Sequence, residues 1–446
     1  MGLVVLLGLS ILFIVIATTR LKLHPFLALL VAAFAFGLLA RMPLIDVVNS
    51  VNAGFGGTIG YIGIVILAGS MIGTFLEKSG GAYRLAESTL HLTGEKNVPL
   101  AMTIVGYIVS MPVFCDSGFV LLSPLNKALA RRAKISLAAG AVALSLGLYA
   151  THTMVPPTPG PVAAAGLLGA DLGLVILCGL IVSAVAAFAG WAFAVKVASR
   201  IYISPDDDVT SEPRVTVHDD APSTARALLP ILLPIVLIVA RSVTELPTKP
   251  LGEGQAVLLL GFFGQPTVAL LIGVLASLLL PKKLDRRMLS GTGWVGEAIL
   301  GAATIIIITG AGGAFGKVLQ NSGIADAIGA SLKGREHIGI WLPFLIAAGI
   351  KTAQGSSTVS IITTAGLMAP LLGSLGLDGD AAKALAVVAI GAGAMVVSHA
   401  NDSYFWVVTQ FSNMSVNQGY RLQTVGTLIE GIAAALTIWV MSLLVF

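Results

Sequence analysis

An all-α integral membrane protein is the fold class this sequence predicts, and three observations predict it. The 446-residue chain is 56% hydrophobic and only 11% charged, whereas soluble domains carry about 25% charged residues because their surfaces face water. Its mean hydropathy is +0.94. Apolar runs of about the 17–25 residues needed to cross a bilayer core follow one another almost without pause. A soluble enzyme is excluded by that composition.

The runs are Leu3–Thr18, Pro25–Leu39, Gly60–Leu76, Ile135–Ala150, Leu172–Val195, Ala227–Ala240, Pro266–Leu280 and Val425–Phe446. With the broken segments between them they lead to an expectation of about 10–14 transmembrane helices. The first run lacks a basic start and a small-residue cleavage site before Arg20, so it reads as a span and not as a secretory signal. The net charge of +4 is modest and sits in loops, which gives no ground for nucleic-acid binding. Cys115 and Cys178 make neither a disulfide framework nor a metal site. The 51 glycines and 20 prolines suit close helix contacts and interrupted helices.

The hydrophilic stretch Ser199–Arg226, with Asp206 to Asp208, Asp219, Asp220 and three prolines, has nothing apolar to bury. It divides the chain into a first repeat, 1–198, a cytoplasmic linker, 199–226, and a second repeat, 227–446. A gapless match between Gly69–Ala82 and Gly312–Ala325 supports a duplication: Gly69/Gly312, Gly73/Gly316, Leu76/Leu319, Ser79/Ser322 and Gly80/Gly323 coincide. A register shifted by a few residues pairs His152 with His399. Basic clusters at Lys127–Lys134 and Lys282–Arg287 orient the chain, since short cytoplasmic loops are rich in Lys and Arg. Placing both inside also places the linker inside and makes the two repeats inverted.

Function is sought where polar, Gly- and Pro-broken segments interrupt the apolar runs, in matching positions of the two halves. Non-helical backbone is tolerated at membrane depth only where protein buries it or water reaches it. Met111–Gly118 predicts a re-entrant hairpin with Asp116, Ser117 and Gly118 at its tip; an ordinary loop with a solvated Asp is the alternative. Gln354-Gly355-Ser356-Ser357-Thr358 predicts the matching tip, whose hydroxyls and helix-start N–H groups suit an anionic oxygen ligand. Lys351, about a turn earlier, either snorkels to headgroups or partners a substrate carboxylate. Thr151–Pro161 holds four prolines, so an extended polar stretch carrying Thr151, His152 and Thr158 is expected there. Its counterpart brings His399, Asn401 and Asp402 before Tyr404-Phe405-Trp406. Histidines and carboxylates inside a membrane are functional candidates, which makes Asp116, Asp402, His152 and His399 the candidate proton-coupling groups. Glu430, inside an apolar run, is the least comfortable of the remaining charges.

These features fit a secondary transporter. An intramembrane enzyme would need a catalytic set, yet no His-Glu-x-x-His or Gly-x-Ser-x-Gly occurs. A channel more often repeats its filter between subunits. No P-loop is present, so a proton or sodium gradient remains as the energy source, and no cofactor is expected.

Four ordered motifs carry a family resemblance: Phe114–Leu125, Val155–Pro161, Gln354–Val359 and Ser398–Trp406. Together with His24–Leu30 and Gly310–Phe315 they resemble the gluconate:proton symporter (GntP) family of bacterial permeases, over the whole chain. The resemblance implies a multi-pass cytoplasmic-membrane (inner-membrane) symporter importing gluconate or a related small hydroxy acid. It also implies a scaffold domain, a transport domain with two opposed hairpins, an elevator-like motion and a homodimer. By position, Asp116-Ser117 and Gly355-Ser356-Ser357-Thr358 become the two tips, and Thr151-His152 and His399 with Asn401-Asp402 complete the cavity. One departure stands out. Gluconate-type members carry a Glu-Val-Gly arrangement where this chain has Asp116-Ser117-Gly118, and the shorter acid with an added hydroxyl leaves D-serine or glycerate as alternative substrates.

Overall fold

The computed structural model describes residues 2–93, 97–205, 221–244, 252, 254–324, 339–400 and 402–445, and among them there is helix but no strand. The first half comprises α1 (Leu3–Thr19), α2 (Pro25–Leu39), α3 (Leu44–Lys78), α4 (Gly81–Thr93), α5 (Val98–Val109), α6 (Cys115–Ala133), α7 (Leu137–Met154), α8 (Pro159–Leu168) and α9 (Leu172–Lys196). The second half comprises α10 (Thr224–Thr244), α11 (Gln255–Phe263), α12 (Pro266–Ser277), α13 (Trp294–Asn321), α14 (Trp341–Gln354), α15 (Ser357–Met368), α16 (Asp380–Gly393), α17 (Ser403–Phe411) and α18 (Val425–Val445). Most of the central linker, residues 206–220, lies outside the described residues. Its two ends are tied to the first half: Arg131 donates to the Pro205 carbonyl (3.2 Å) and Arg84 to the Pro222 carbonyl (3.2 Å).

Five helical stretches are long and apolar enough to cross a bilayer: Leu137–Leu168, Leu172–Arg200, Thr224–Thr244, Arg286–Asn321 and Val416–Leu444. Pairs bent by 43° within α3 and by 69° between α11 and α12 raise the number to as many as seven among the described residues. The other apolar helices are shorter, because glycine and proline cut the runs before they reach full span length. The chain is therefore a multi-pass α-helical protein, with fewer full-length helices than the run count suggests.

Two expectations need correcting. First, α3 begins at Leu44, well before Gly60, because Leu44–Ile59 is helical although its polar and glycine residues dilute its hydropathy. Second, Thr151–Pro161 is not an extended polar stretch. Helix α7 runs on through Thr151, His152 and Thr153 to Met154, the unwinding is confined to Val155–Thr158, and α8 restarts at Pro159. Pro159 and Pro161 fall in the first turn of α8, where a missing N–H costs no hydrogen bond. Every residue of α7 is buried.

Capping side chains set the joints between elements. Asp171 accepts the Leu174 N–H at the start of α9 (2.8 Å) and also the Ser242 hydroxyl (2.6 Å), which docks α10 on that turn. Ser136 caps α7 while donating to the Ile201 carbonyl (2.7 Å). Helices α3 and α13, which hold most of the self-similar stretches, form the most extensive helix contact among the described residues. There the main chains themselves meet: a Cβ added at Gly54 would lie 2.7 Å from Lys317 Cβ and 2.8 Å from Ala314 Cα. Gly69 also lies against a broken segment, where an added Cβ would sit 2.7 Å from the Pro157 carbonyl, and Gly316 lies against α15, where it would sit 2.8 Å from the Gly366 carbonyl.

Gly54→Ala is expected to destabilise the protein by about 1–3 kcal/mol through overpacking. Gly56→Ala, where nothing lies within 4 Å of the new methyl, is expected to leave stability unchanged or raise it by about 0.5–1 kcal/mol. Thermal unfolding of both variants in the same detergent checks the contrast.

Candidate functional site

The polar breaks converge. Helices α5 and α6 are separated by Ser110–Phe114, where Pro112 supplies no N–H, and Asp116 and Ser117 fall in the first turn of α6. Helices α14 and α15 pack against each other across a break at Gly355-Ser356. Gly355 adopts φ 90°, a left-handed conformation that favours glycine. Ser356 then caps α15 by accepting the Val359 N–H (3.3 Å), leaving the N–H groups of Ser357 and Thr358 at the helix start. After α16 the chain unwinds over Ala394–Ser398, and Asp402 becomes the cap of α17 by accepting the Tyr404 N–H (3.1 Å).

One buried ion pair joins these pieces. Lys351 Nζ, in the last turn of α14, lies 2.6 Å from Asp402 Oδ2, and it also donates to the Gly355 carbonyl. The Lys351 side chain is 0% exposed. Its ammonium stands 5.9 Å from the centre of the Tyr149 ring, inside cation–π range. The same Asp402 oxygen accepts the Ser398 hydroxyl at 2.5 Å. Lys351 thus neither snorkels to headgroups nor stands free for a substrate carboxylate; its counter-charge is internal.

Asp116 is placed differently. It accepts from Ser403 Oγ at Oδ1 (3.3 Å) and from Cys115 Sγ at Oδ2 (3.8 Å), and no ion pair involves it among the described residues. The Ser403 contact joins the starts of α6 and α17. His399 donates from Nε2 to the Thr352 carbonyl (2.8 Å), so the second broken segment also touches the end of α14. The Ser357 hydroxyl lies beside the Tyr149 phenol.

The remaining predicted residues divide. Thr151 Oγ1 donates to the Tyr107 carbonyl (3.0 Å) and Thr158 Oγ1 to the Val155 carbonyl (2.6 Å), so both hydroxyls are spent on backbone that the break leaves unpaired. His152 is buried, its ring tilted against Phe114 at 5.8 Å, and among the described residues its Nδ1 has no hydrogen-bond partner. Gly118 packs on Leu148. Gln354 ends α14. Asn401 lies outside the described residues. Sequence reasoning missed Tyr149, and it placed Ser398, Ser403 and Tyr404 in the second polar break without giving them a site role; the Tyr149 and Tyr404 rings lie 5.0 Å apart, and Ser398 and Ser403 hold the two carboxylates. Tyr149 stands three residues before His152 on the same helix face, a spacing that would have found it.

A multi-helical membrane fold whose interrupted helices gather carboxylates, hydroxyls and helix starts in its interior is the architecture of a membrane transporter. The chain matches the GntP family permease across residues 1–444, and it belongs to that family: it is a permease and not an enzyme. Among curated relatives it is 35% identical to the gluconate permease of Pseudomonas aeruginosa, over 97% of this chain and 96% of that one. It is 33% identical to the D-serine transporter DsdX of Escherichia coli, over 98% and 97%. It is 32% identical to the gluconate permease of Bacillus subtilis, over 99% of each. The fold is similar to that of the YdaH transporter of Alcanivorax borkumensis, with a TM-score of 0.69 at 13% identity, over 95% of this chain and 99% of that one.

Lys351→Met is expected to destabilise the protein by about 3–5 kcal/mol, because it strands a buried carboxylate. Adding Asp402→Asn, which removes the charge and keeps a good helix cap, is expected to restore most of that loss. Unfolding of the two single variants and the double variant in detergent measures the coupling.

Proposed function

We propose that this permease imports gluconate or a related small hydroxy acid by proton symport across the cytoplasmic membrane of a bacterium. The observation that carries the proposal is the pairing of Lys351 with Asp402 beside an Asp116 that has no cation among the described residues. Two gluconate permeases among its relatives support the cargo. The substrate carboxylate binds at the start of α15, where the N–H groups and hydroxyls of Ser357 and Thr358 meet the positive end of the helix dipole. Its hydroxyls reach Asp116 and Ser117 at the start of α6. Gly355 and Ser356 shape the tip, while His399 lines the approach.

Asp402 is engaged by Lys351, Ser398 and the Tyr404 N–H, so Asp116 is the better acceptor of the coupling proton. Protonating it neutralises the second carboxylate as the anionic substrate arrives, and the loaded site moves with less charge in low dielectric. His152 supports the tip through Phe114. No cofactor takes part.

The motion is of the elevator type, within two inverted repeats, 1–198 and 227–446, joined by the cytoplasmic linker 199–226. The lengths of the paired helices support two re-entrant hairpins: α5 and α15 have 12 residues each, about 18 Å of helix, against about 30 Å of hydrocarbon. A homodimer completes the transporter.

A second reading has one observation behind it. An Asp116 without a cation suits the ammonium of a D-serine-like zwitterion, and a D-serine transporter is among the relatives.

Uptake into proteoliposomes, driven in turn by a proton and a sodium gradient and competed with sugar acids, glycerate and D-serine, tests both readings. Asp116→Asn is expected to abolish uphill accumulation and to spare exchange. Surviving proton-driven accumulation would assign the proton elsewhere. Ser357→Ala with Thr358→Ala is expected to raise the half-saturating substrate concentration about tenfold, the loss of one or two hydrogen bonds.

A further inference from the structure

Glu430 lies in the middle of α18, is 0% exposed, and among the described residues neither of its carboxyl oxygens has a hydrogen-bond partner. It faces α9 so closely that a Cβ added at Gly190 would sit 3.5 Å from Oε1. The elements packed on α18 are α7, α9, α14, α16 and the π-helical turn Tyr420–Thr424. Among the described residues none of them brings a charged side chain to Glu430, and the titratable group that feels its charge is the Tyr404 phenol. An ionised carboxylate enclosed with no counter-charge and no donor is too costly to persist, so the group is held as the neutral acid. A metal cation is a poor alternative ligand. Hard cations take about six to eight oxygens, and no cluster of acidic or histidine side chains exists for one among the described residues.

A file of buried polar groups leads from the candidate site towards this carboxyl. Asp402 Oδ1 accepts the Tyr404 N–H (3.1 Å), and the Tyr404 hydroxyl donates to the Ser145 carbonyl (2.9 Å). The Ser145 hydroxyl donates to Gln423 Oε1 (2.8 Å), and Gln423 Nε2 has no partner. Gln423 stands in the π-helical turn, a distortion that recurs at functional sites, and Glu430 follows it by two helical turns on the same face. Filling space beside Gly190 requires only a leucine. A carboxyl at the end of a polar file is suited to something else.

We propose that Glu430 is a proton-binding site separate from the substrate site, protonated in the state seen here and exchanging its proton during the transport cycle. The step is simple: a carboxylate oxygen and one proton form an O–H bond, and the reverse releases the proton to water. Glu430 is sealed in this state, so exchange requires the helices around it to part. Its coupling to transport rests on the proton-symport reading above.

Infrared spectra of the lipid-reconstituted wild type, recorded across pH and in deuterated buffer, report the carboxyl directly and need no substrate. The expected result is a protonated-carboxyl C=O band that shifts in deuterated buffer, disappears in Glu430→Gln and shifts in frequency in Glu430→Asp. A band unchanged by Glu430→Gln, or one that never exchanges, overturns the proposal. In proteoliposomes, Glu430→Gln is expected to flatten the pH profile of saturated uptake, and an unchanged profile overturns exchange during the cycle. If the wild type carries none of the acids, the symport reading fails while the infrared result still decides the carboxyl.

Discussion

The contact between Lys351 and Asp402 is the constraint on which the centre of the molecule depends. Each partner does two things at once. The ammonium satisfies the Gly355 carbonyl at the end of α14 as well as the carboxylate; the carboxylate caps α17 as well as balancing the ammonium. The pair therefore stops one helix and starts another, and it fixes how the two breaks face each other. Buried ion pairs add little net stability, because desolvation offsets attraction, but losing one partner leaves an intolerable charge. What the contact supplies is geometry.

That geometry makes the two aspartates unlike. Asp402 is fully engaged, while Asp116 meets only a hydroxyl and a thiol. Two carboxylates beginning two neighbouring helices are thereby sorted, one tied into the framework and one left with weaker contacts. The tyrosines add to the packing around the pair: Tyr149 and Tyr404 lie 5.0 Å apart, with the Tyr149 ring beside the Lys351 ammonium.

The breaks were legible because an apolar run has little reason to hold glycine, proline and hydroxyl residues together unless its helix ends there. The joints at Ser110–Phe114, Gly355-Ser356 and Ala394–Asp402 lie where the sequence punctuates them. What escaped was pairing. Lys351 and Asp402 stand 51 positions apart, and no periodicity links them, so the lysine read as a headgroup anchor or a substrate partner. Thr151 and His152 misled for a local reason. Four prolines in a short run argue against helix, yet two of them sit in the first turn of α8, where proline is welcome. The start of α3 escaped because polar and glycine residues dilute the hydropathy of Leu44–Ile59, where Gly54 is packed on α13.

The contact of α3 with α13 has a mechanical consequence. Ordinary helix pairs interlock, and a shift of one past the other must reset side-chain rotamers at each step. Where Gly54 and Gly313 bring main chain against main chain, there are fewer teeth to disengage. Such a surface resists separation, since its close approach maximises dispersion, yet opposes gliding only weakly. It behaves as a bearing, stiff across its face and smooth along it.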